Sequence, residues 1–258
     1  MRFTRFTTTL LAACLMPLTT LAAPWGYTGE NGPAQWGEIS KEYATCQTGI
    51  HQSPIDIQTA TTNKLGLPAL NMQYVDSPTR FWSIDHTLRA TMSSYSANAL
   101  EVDEKIYYLK QLDFHAPAEH TLNGKTYPLE LQLVHKNHHG DIAIVAVMFD
   151  VGEPNQAIQN LWESFPAMKD SSMPIFSPVD INQLLPDNKT YWLYSGSLTT
   201  PPCTEGVSWV VLKKPVVLSA EQLDKFRYIV GPANNRPTQP LNQRKITDSN
   251  SGDTEILY

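Results

Sequence analysis

Only 3 of the 258 residues are cysteine, 17% are charged, and Lys and Arg (19) fall short of Asp and Glu (25), for a formal net charge of −6. The shortage of basic residues, with no Lys/Arg stripe, argues against nucleic-acid binding, because such proteins neutralise phosphates with clustered cations. The body of the chain has no apolar run of the roughly 18 residues that a membrane-spanning helix needs. Internal repeats, low-complexity linkers and Gly/Ser hinges are also missing, so a single domain is expected. What is present is an ordinary globular composition, 41% hydrophobic, and a length sufficient for one large core.

The N-terminus reads as an address. Arg2 and Arg5 precede a mostly apolar stretch from Leu10 to Leu21, and Thr20-Leu21-Ala22 offers small residues for cleavage. Residues 1–22 are predicted to be a signal peptide and 23–258 the exported domain. Lipid attachment at Cys14 is the alternative, since Leu11-Ala12-Ala13-Cys14 resembles a lipoprotein box. Cleavage would remove Arg2, Arg5 and Cys14 and leave Cys46 and Cys203. An even pair in an exported chain suggests one disulfide, with two buried thiols as the other possibility.

Short strand-like runs recur between turn signals: Thr87–Met92, Lys105–His115, Tyr127–His135, Ile142–Asp150, Thr190–Ser195 and Val207–Leu212. Helical patterns are few, around Ala157–Trp162 and Ala220–Arg227. A mostly β protein with small peripheral helices follows. Asn123-Gly124 favours the positive φ of a type I′ turn, and its flanks alternate with the strand period. Pairing symmetric about that dipeptide sets His115 opposite Gln132 and Asp113 opposite Val134. Gln111, Asp113 and His115 then share a face with Glu130, Gln132 and Val134. So many polar side chains on one face require partners, which points to a cleft or a site.

Those residues sit among Gly32-Pro33, Gln35-Trp36, Gln52-Ser53-Pro54-Ile55-Asp56-Ile57, Phe114-His115-Ala116-Pro117-Ala118-Glu119-His120, Leu133-Val134-His135 and Tyr194-Ser195-Gly196-Ser197-Leu198-Thr199-Thr200-Pro201-Pro202-Cys203. The set resembles the α-class carbonic anhydrases, especially exported bacterial members, from about Trp25 to Ile246. The resemblance implies a central, twisted, largely antiparallel ten-stranded sheet with a conical cleft, a Cys46–Cys203 disulfide, CO2 and bicarbonate as substrates, and a periplasmic monomer or homodimer. It also implies a zinc ion on three histidines, the ligand set for which carbonic anhydrase is the standard example.

Only one of those three positions is histidine here: they fall on Asp113, His115 and Gln132. A neutral amide oxygen suits harder cations than zinc, so weak or absent zinc binding is expected. The rest matches. By resemblance Thr199 orients the attacking oxygen and Glu119 accepts the Thr199 proton, while His86 holds the proton-shuttle position. Val134, Ile144, Leu198, Val207 and Trp209 match the apolar wall for CO2, and Gln111 and Glu130 match partners of the ligands. His120 and His135 read as core histidines, His138 and His139 as surface ones. The expectation is a family member that has lost or strongly reduced zinc-dependent CO2 hydration and serves as a binding or structural module. The alternative is a working anhydrase at a non-standard metal site.

Overall fold

The computed structural model describes residues 24–84, 86–166 and 168–249. The predicted leader, with Cys14, lies outside the described residues. Among the described residues no helix is long and apolar enough to cross a membrane.

Ten strands form the main path of one sheet: β1 (Asn63–Leu65), β2 (Arg80–Ile84), β3 (Thr87–Thr91), β4 (Lys105–His115), β5 (Leu129–Lys136), β6 (Ile142–Val151), β7 (Ser171–Pro174), β8 (Tyr191–Ser197), β9 (Glu205–Leu212) and β10 (Thr247–Ser249). Their spatial order is β7-β2-β3-β4-β5-β6-β9-β8-β10-β1. Three more short strands, Asn71–Gln73, Ala99–Val102 and Val216–Leu218, pair alongside this path. Most pairings are antiparallel; β6 with β9, β6 with Val216–Leu218 and β10 with β1 are parallel. The long central strands are those whose alternation was legible in sequence, and β4 has the expected limits, Lys105 to His115.

Because side chains alternate across a strand, the central strands divide the interior into two sides. Leu112 and Phe114 of β4, Leu131 and Leu133 of β5, and Val145 and Val147 of β6 belong to one continuous apolar cluster. Two helices complete it, Gln156–Trp162 with Ile158, Leu161 and Trp162, and Ala220–Val230 with Leu223 and Phe226. The second helix starts at a reciprocal cap: the Ser219 hydroxyl accepts from Gln222 N, and the Gln222 side chain accepts from Ser219 N. On the opposite side of the sheet Val134, Ile144, Ala146, Trp209 and Val211 form a smaller cluster. Polar residues interrupt that side, and the cleft opens there.

The Asn123-Gly124 turn has the expected backbone, with φ of 48° and 78°. It joins the two-residue strands Thr121–Leu122 and Lys125–Thr126, which pair symmetrically about it. That symmetry does not extend to β4 and β5. There His115 lies opposite Glu130, Asp113 opposite Gln132, and Gln111 opposite Val134. The expected register is therefore corrected by two residues. The chain leaves the ladder after His115 through Ala116-Pro117, and that arm uses more residues to reach the turn than the returning arm does. An even shift preserves the face, so the polar set stays together.

Cys46 and Cys203 are disulfide-bonded, with Cα atoms 5.0 Å apart. The bond lies in a third cluster with Trp36 and Tyr43, against which Trp25 and Tyr27 pack. It ties the N-terminal segment to the Thr199–Cys203 loop at the cleft.

Candidate functional site

A cavity of about 160 Å³ opens on the polar side of the sheet. Its floor comes from β3 to β5: Thr87 and Arg89, then Gln111, Asp113 and His115, then Gln132, Val134 and Lys136. Ile142 and Ile144 of β6 and the loop residues Leu198, Thr199 and Thr200 close the other walls.

His115 is almost fully buried. Its Nδ1 lies 2.7 Å from the Asn234 carbonyl oxygen, which can only accept, so Nδ1 carries the proton and Nε2 keeps the lone pair. Asn234 also receives the Ala116 N–H on its Oδ1 and donates to the Phe114 carbonyl, which clamps the end of β4.

Gln132 presents its amide nitrogen to two carboxylates, Glu119 Oε2 at 2.7 Å and Glu130 Oε1 at 3.0 Å. Both partners are acceptors when ionised, which fixes the orientation of the amide. Asp113 carries the heaviest load. Arg89 donates to it through Nε to Oδ1 at 2.6 Å and through Nη2 to Oδ2 at 3.0 Å, and Gln111 Nε2 adds a bond to Oδ2 at 2.8 Å. This is a forked, charge-assisted pair with a third donor on the same carboxylate.

Behind the floor lie two buried carboxylates. Glu119 accepts from Arg236 N at 2.8 Å and from Gln132, and the Thr199 hydroxyl nearby favours its ionised form. Burial pushes its carboxyl above the usual range; the nearby His115 opposes this, and Glu130 adds to it. Burial alone would also raise Glu130, but the His120 imidazole and the His120 backbone N–H hold it below its ordinary value. Glu130 accepts the N–H groups of Glu119 and His120 and lies 2.9 Å from His120 Nδ1. His120 in turn meets the Tyr194 hydroxyl at 2.6 Å. His135 meets the Tyr74 hydroxyl at 2.8 Å, and burial pushes its imidazole down to about 3. Both are buried histidines, while His138 and His139 are exposed.

The residues singled out from sequence therefore divide. Gln111, Asp113, His115, Gln132, Val134, Ile144, Leu198 and Thr199 line one cavity. Glu119 and Glu130 stand behind it, bonded to its lining. Val207 and Trp209 lie in the buried cluster beside Val134 and Ile144, outside the cavity wall. His86 is not part of the lining: its Nε2 donates to the Trp25 carbonyl at 2.7 Å, and its ring packs 5.2 Å from that of Trp25. Sequence reading missed Arg89, Asn234 and Arg236. Arg89 was discoverable, because Thr87, Arg89 and Thr91 alternate along one predicted strand and put a guanidinium on a single face. The segment holding Asn234 and Arg236 has no periodicity to follow.

A family model of the eukaryotic-type carbonic anhydrases matches residues 31–250. A carbonic anhydrase of Klebsiella pneumoniae is 45% identical over 239 residues, covering 93% of this chain and 96% of the relative. The solved α-carbonic anhydrase of Thermovibrio ammonificans, in complex with the inhibitor sulfanilamide, is also 45% identical, with a TM-score of 0.85 over 87% of this chain and 99% of that one. A dioscorin complexed with ascorbate is 31% identical, with a TM-score of 0.82 over 87% of this chain and 97% of that one. The chain belongs to the α-class carbonic anhydrase family.

Zinc is the metal of that family, so the donors at the three ligand positions bear directly on it. Zinc selects imidazole, thiolate and carboxylate ligands. His115 supplies one imidazole with a lone pair. Gln132 turns its N–H groups toward the two carboxylates, so it has only its neutral amide oxygen to offer a metal, a donor that suits harder cations than zinc. Asp113 is a carboxylate, but its oxygens are engaged by three N–H donors. This donor set does not fit a zinc ion.

Proposed function

We propose that this protein is an exported carbonic-anhydrase-family member whose cleft binds a small molecule, with zinc-dependent CO2 hydration lost or strongly reduced. The observation that carries the proposal is the state of the three ligand positions: His115 offers a metal-binding lone pair, while Gln132 has only a neutral amide oxygen to offer and Asp113 is held by Arg89 and Gln111. Without a bound metal there is nothing to lower the pKa of a water in the cleft to near neutrality. What remains is a concave, half-apolar recess with Thr199, Thr200, Gln111 and Lys136 available at its wall. A dioscorin of the same fold is complexed with ascorbate, so a chain of this fold can hold a small organic molecule.

The experiment is stopped-flow CO2 hydration on the mature protein, with Asp113→His/Gln132→His as comparison. Hydration by the wild type no faster than buffer supports the proposal, and turnover like that of an anhydrase rejects it.

One observation favours a second reading, residual hydration at a non-standard site: Thr199 lines the cavity with its hydroxyl near enough to Glu119 to favour the ionised carboxylate, as in the family arrangement, where that pairing leaves an oxygen lone pair aimed at CO2. Under that reading Thr199→Ala abolishes whatever hydration the wild type has. Unchanged activity in that variant removes the second reading.

A further inference from the structure

The lateral neighbours of Asp113 are informative. Arg89 lies directly opposite it across β3 and β4, and Gln132 directly opposite across β4 and β5. Arg89, Asp113 and Gln132 thus form one row across three strands, where cross-strand side chains meet. We propose that Arg89 is a cation built into the cleft, and that it bars a divalent metal from this site by holding the Asp113 carboxylate. The inference rests on the metal-free reading above and adds a specificity-determining residue outside the three ligand positions.

Geometry makes the case. The Arg89 fork spans both oxygens of Asp113, at 2.6 and 3.0 Å, and Gln111 takes a further place at 2.8 Å. A metal would have to displace a bidentate guanidinium. A positive charge within hydrogen-bond reach of a ligand position also repels a second cation. The side chains of Arg89 and Asp113 are 22% and 11% exposed, so solvent screens part of that repulsion. Occupied lone pairs are the main obstacle.

The deeper carboxylates carry the same message. Glu119 has donors from Arg236 and Gln132. Glu130 has donors from Glu119, His120 and Gln132. Every carboxylate around the floor is thus satisfied by protein donors, and the site is closed as a set of hydrogen bonds without a metal.

The test keeps Asp113 and compares Gln132→His with Arg89→Gln/Gln132→His. Zinc dissociation constants are measured by competition with a chromophoric chelator, and folding of each variant is checked by circular dichroism. The Arg89→Gln/Gln132→His variant should bind zinc roughly 10- to 100-fold more tightly, the range seen when groups next to a metal ligand are altered. Equal affinities would overturn the proposal. A second measurement does not depend on that variant folding: thermal melts of Arg89→Lys/Gln132→His and of Gln132→His, each with and without added Zn2+. Arg89→Lys/Gln132→His, which loses the fork, should gain a larger zinc-dependent rise in Tm than Gln132→His; no such gain contradicts the proposal. A wild type that holds stoichiometric zinc and hydrates CO2 contradicts the earlier reading itself. Equal affinities of Gln132→His and Arg89→Gln/Gln132→His, with a metal-free wild type, contradict only the role of Arg89.

Discussion

Asp113 and Phe114 are neighbours in sequence and lie on opposite sides of β4. Phe114 is fully buried among rings, 5.3 Å from Trp162 and 6.4 Å from both Phe81 and Phe226. Asp113, also buried, is held by three N–H donors. The first side is stabilised by area and packing and requires only complementary shapes. The second is stabilised only while each polar group keeps its partner. A side of the first kind tolerates change in chemistry poorly. One of the second kind depends on matched groups, as Asp113 with Arg89 and Gln132 with Glu119 and Glu130 illustrate.

The largest expected effect is on the packed side. Phe114→Ala should cost about 4 kcal/mol in urea unfolding, since a fully buried aromatic leaves a cavity that its rigid neighbours cannot fill. Exchanging chemistry between the sides sharpens the contrast. Leu112→Gln buries an amide among apolar residues and should cost about 3 kcal/mol. The reverse change, Gln132→Leu, should cost less, about 2 kcal/mol, because Glu119 and Glu130 lose one donor each but keep others. If the two substitutions cost the same, the distinction drawn here has no energetic content.

The pH dependence of stability follows from the two deep carboxylates. Burial raises Glu119 above its ordinary value of 4.5, so the folded chain binds that proton more tightly than the unfolded one. Stability from this group is therefore lost as pH climbs from 4.5 through the raised folded value. Glu130 acts in the opposite direction. Its depressed folded value contributes stability above 4.5 that disappears as pH falls through that depressed value. Urea denaturation of the wild type and Glu119→Gln in parallel isolates the first contribution. The wild type should lose stability relative to the variant as pH is raised above 4.5, and a constant difference would contradict the assignment. The smallest effect is expected at His86, whose half-buried ring packs on Trp25 and Tyr27. His86→Ala should shift stability by about 1 kcal/mol or less and leave ligand binding in the cavity unchanged, as titration calorimetry would show.

Much of this was legible in the chain. The alternation of Gln111, Asp113 and His115 against Leu112 and Phe114 placed both sides of β4, and the Asn123-Gly124 pair placed the turn. Register was not legible, because residues 116–120 leave the ladder and nothing local reports how many are spent outside it. The short outer strands Arg80–Ile84 and Ala99–Val102 escaped notice, being four or five residues long and defined by their neighbours. The Arg89–Asp113 pair escaped for a related reason: both residues were visible, but only strand order makes them adjacent. Asn234 and Arg236 reach His115 and Glu119 from more than 100 positions away, through an irregular segment.

The central claim is that the donors at Asp113, His115 and Gln132 do not hold zinc. The most direct test is elemental analysis of the mature protein after equilibration with equimolar Zn2+ and passage over a desalting column. Zinc far below one ion per chain is the result expected; one tightly held zinc per chain would contradict it.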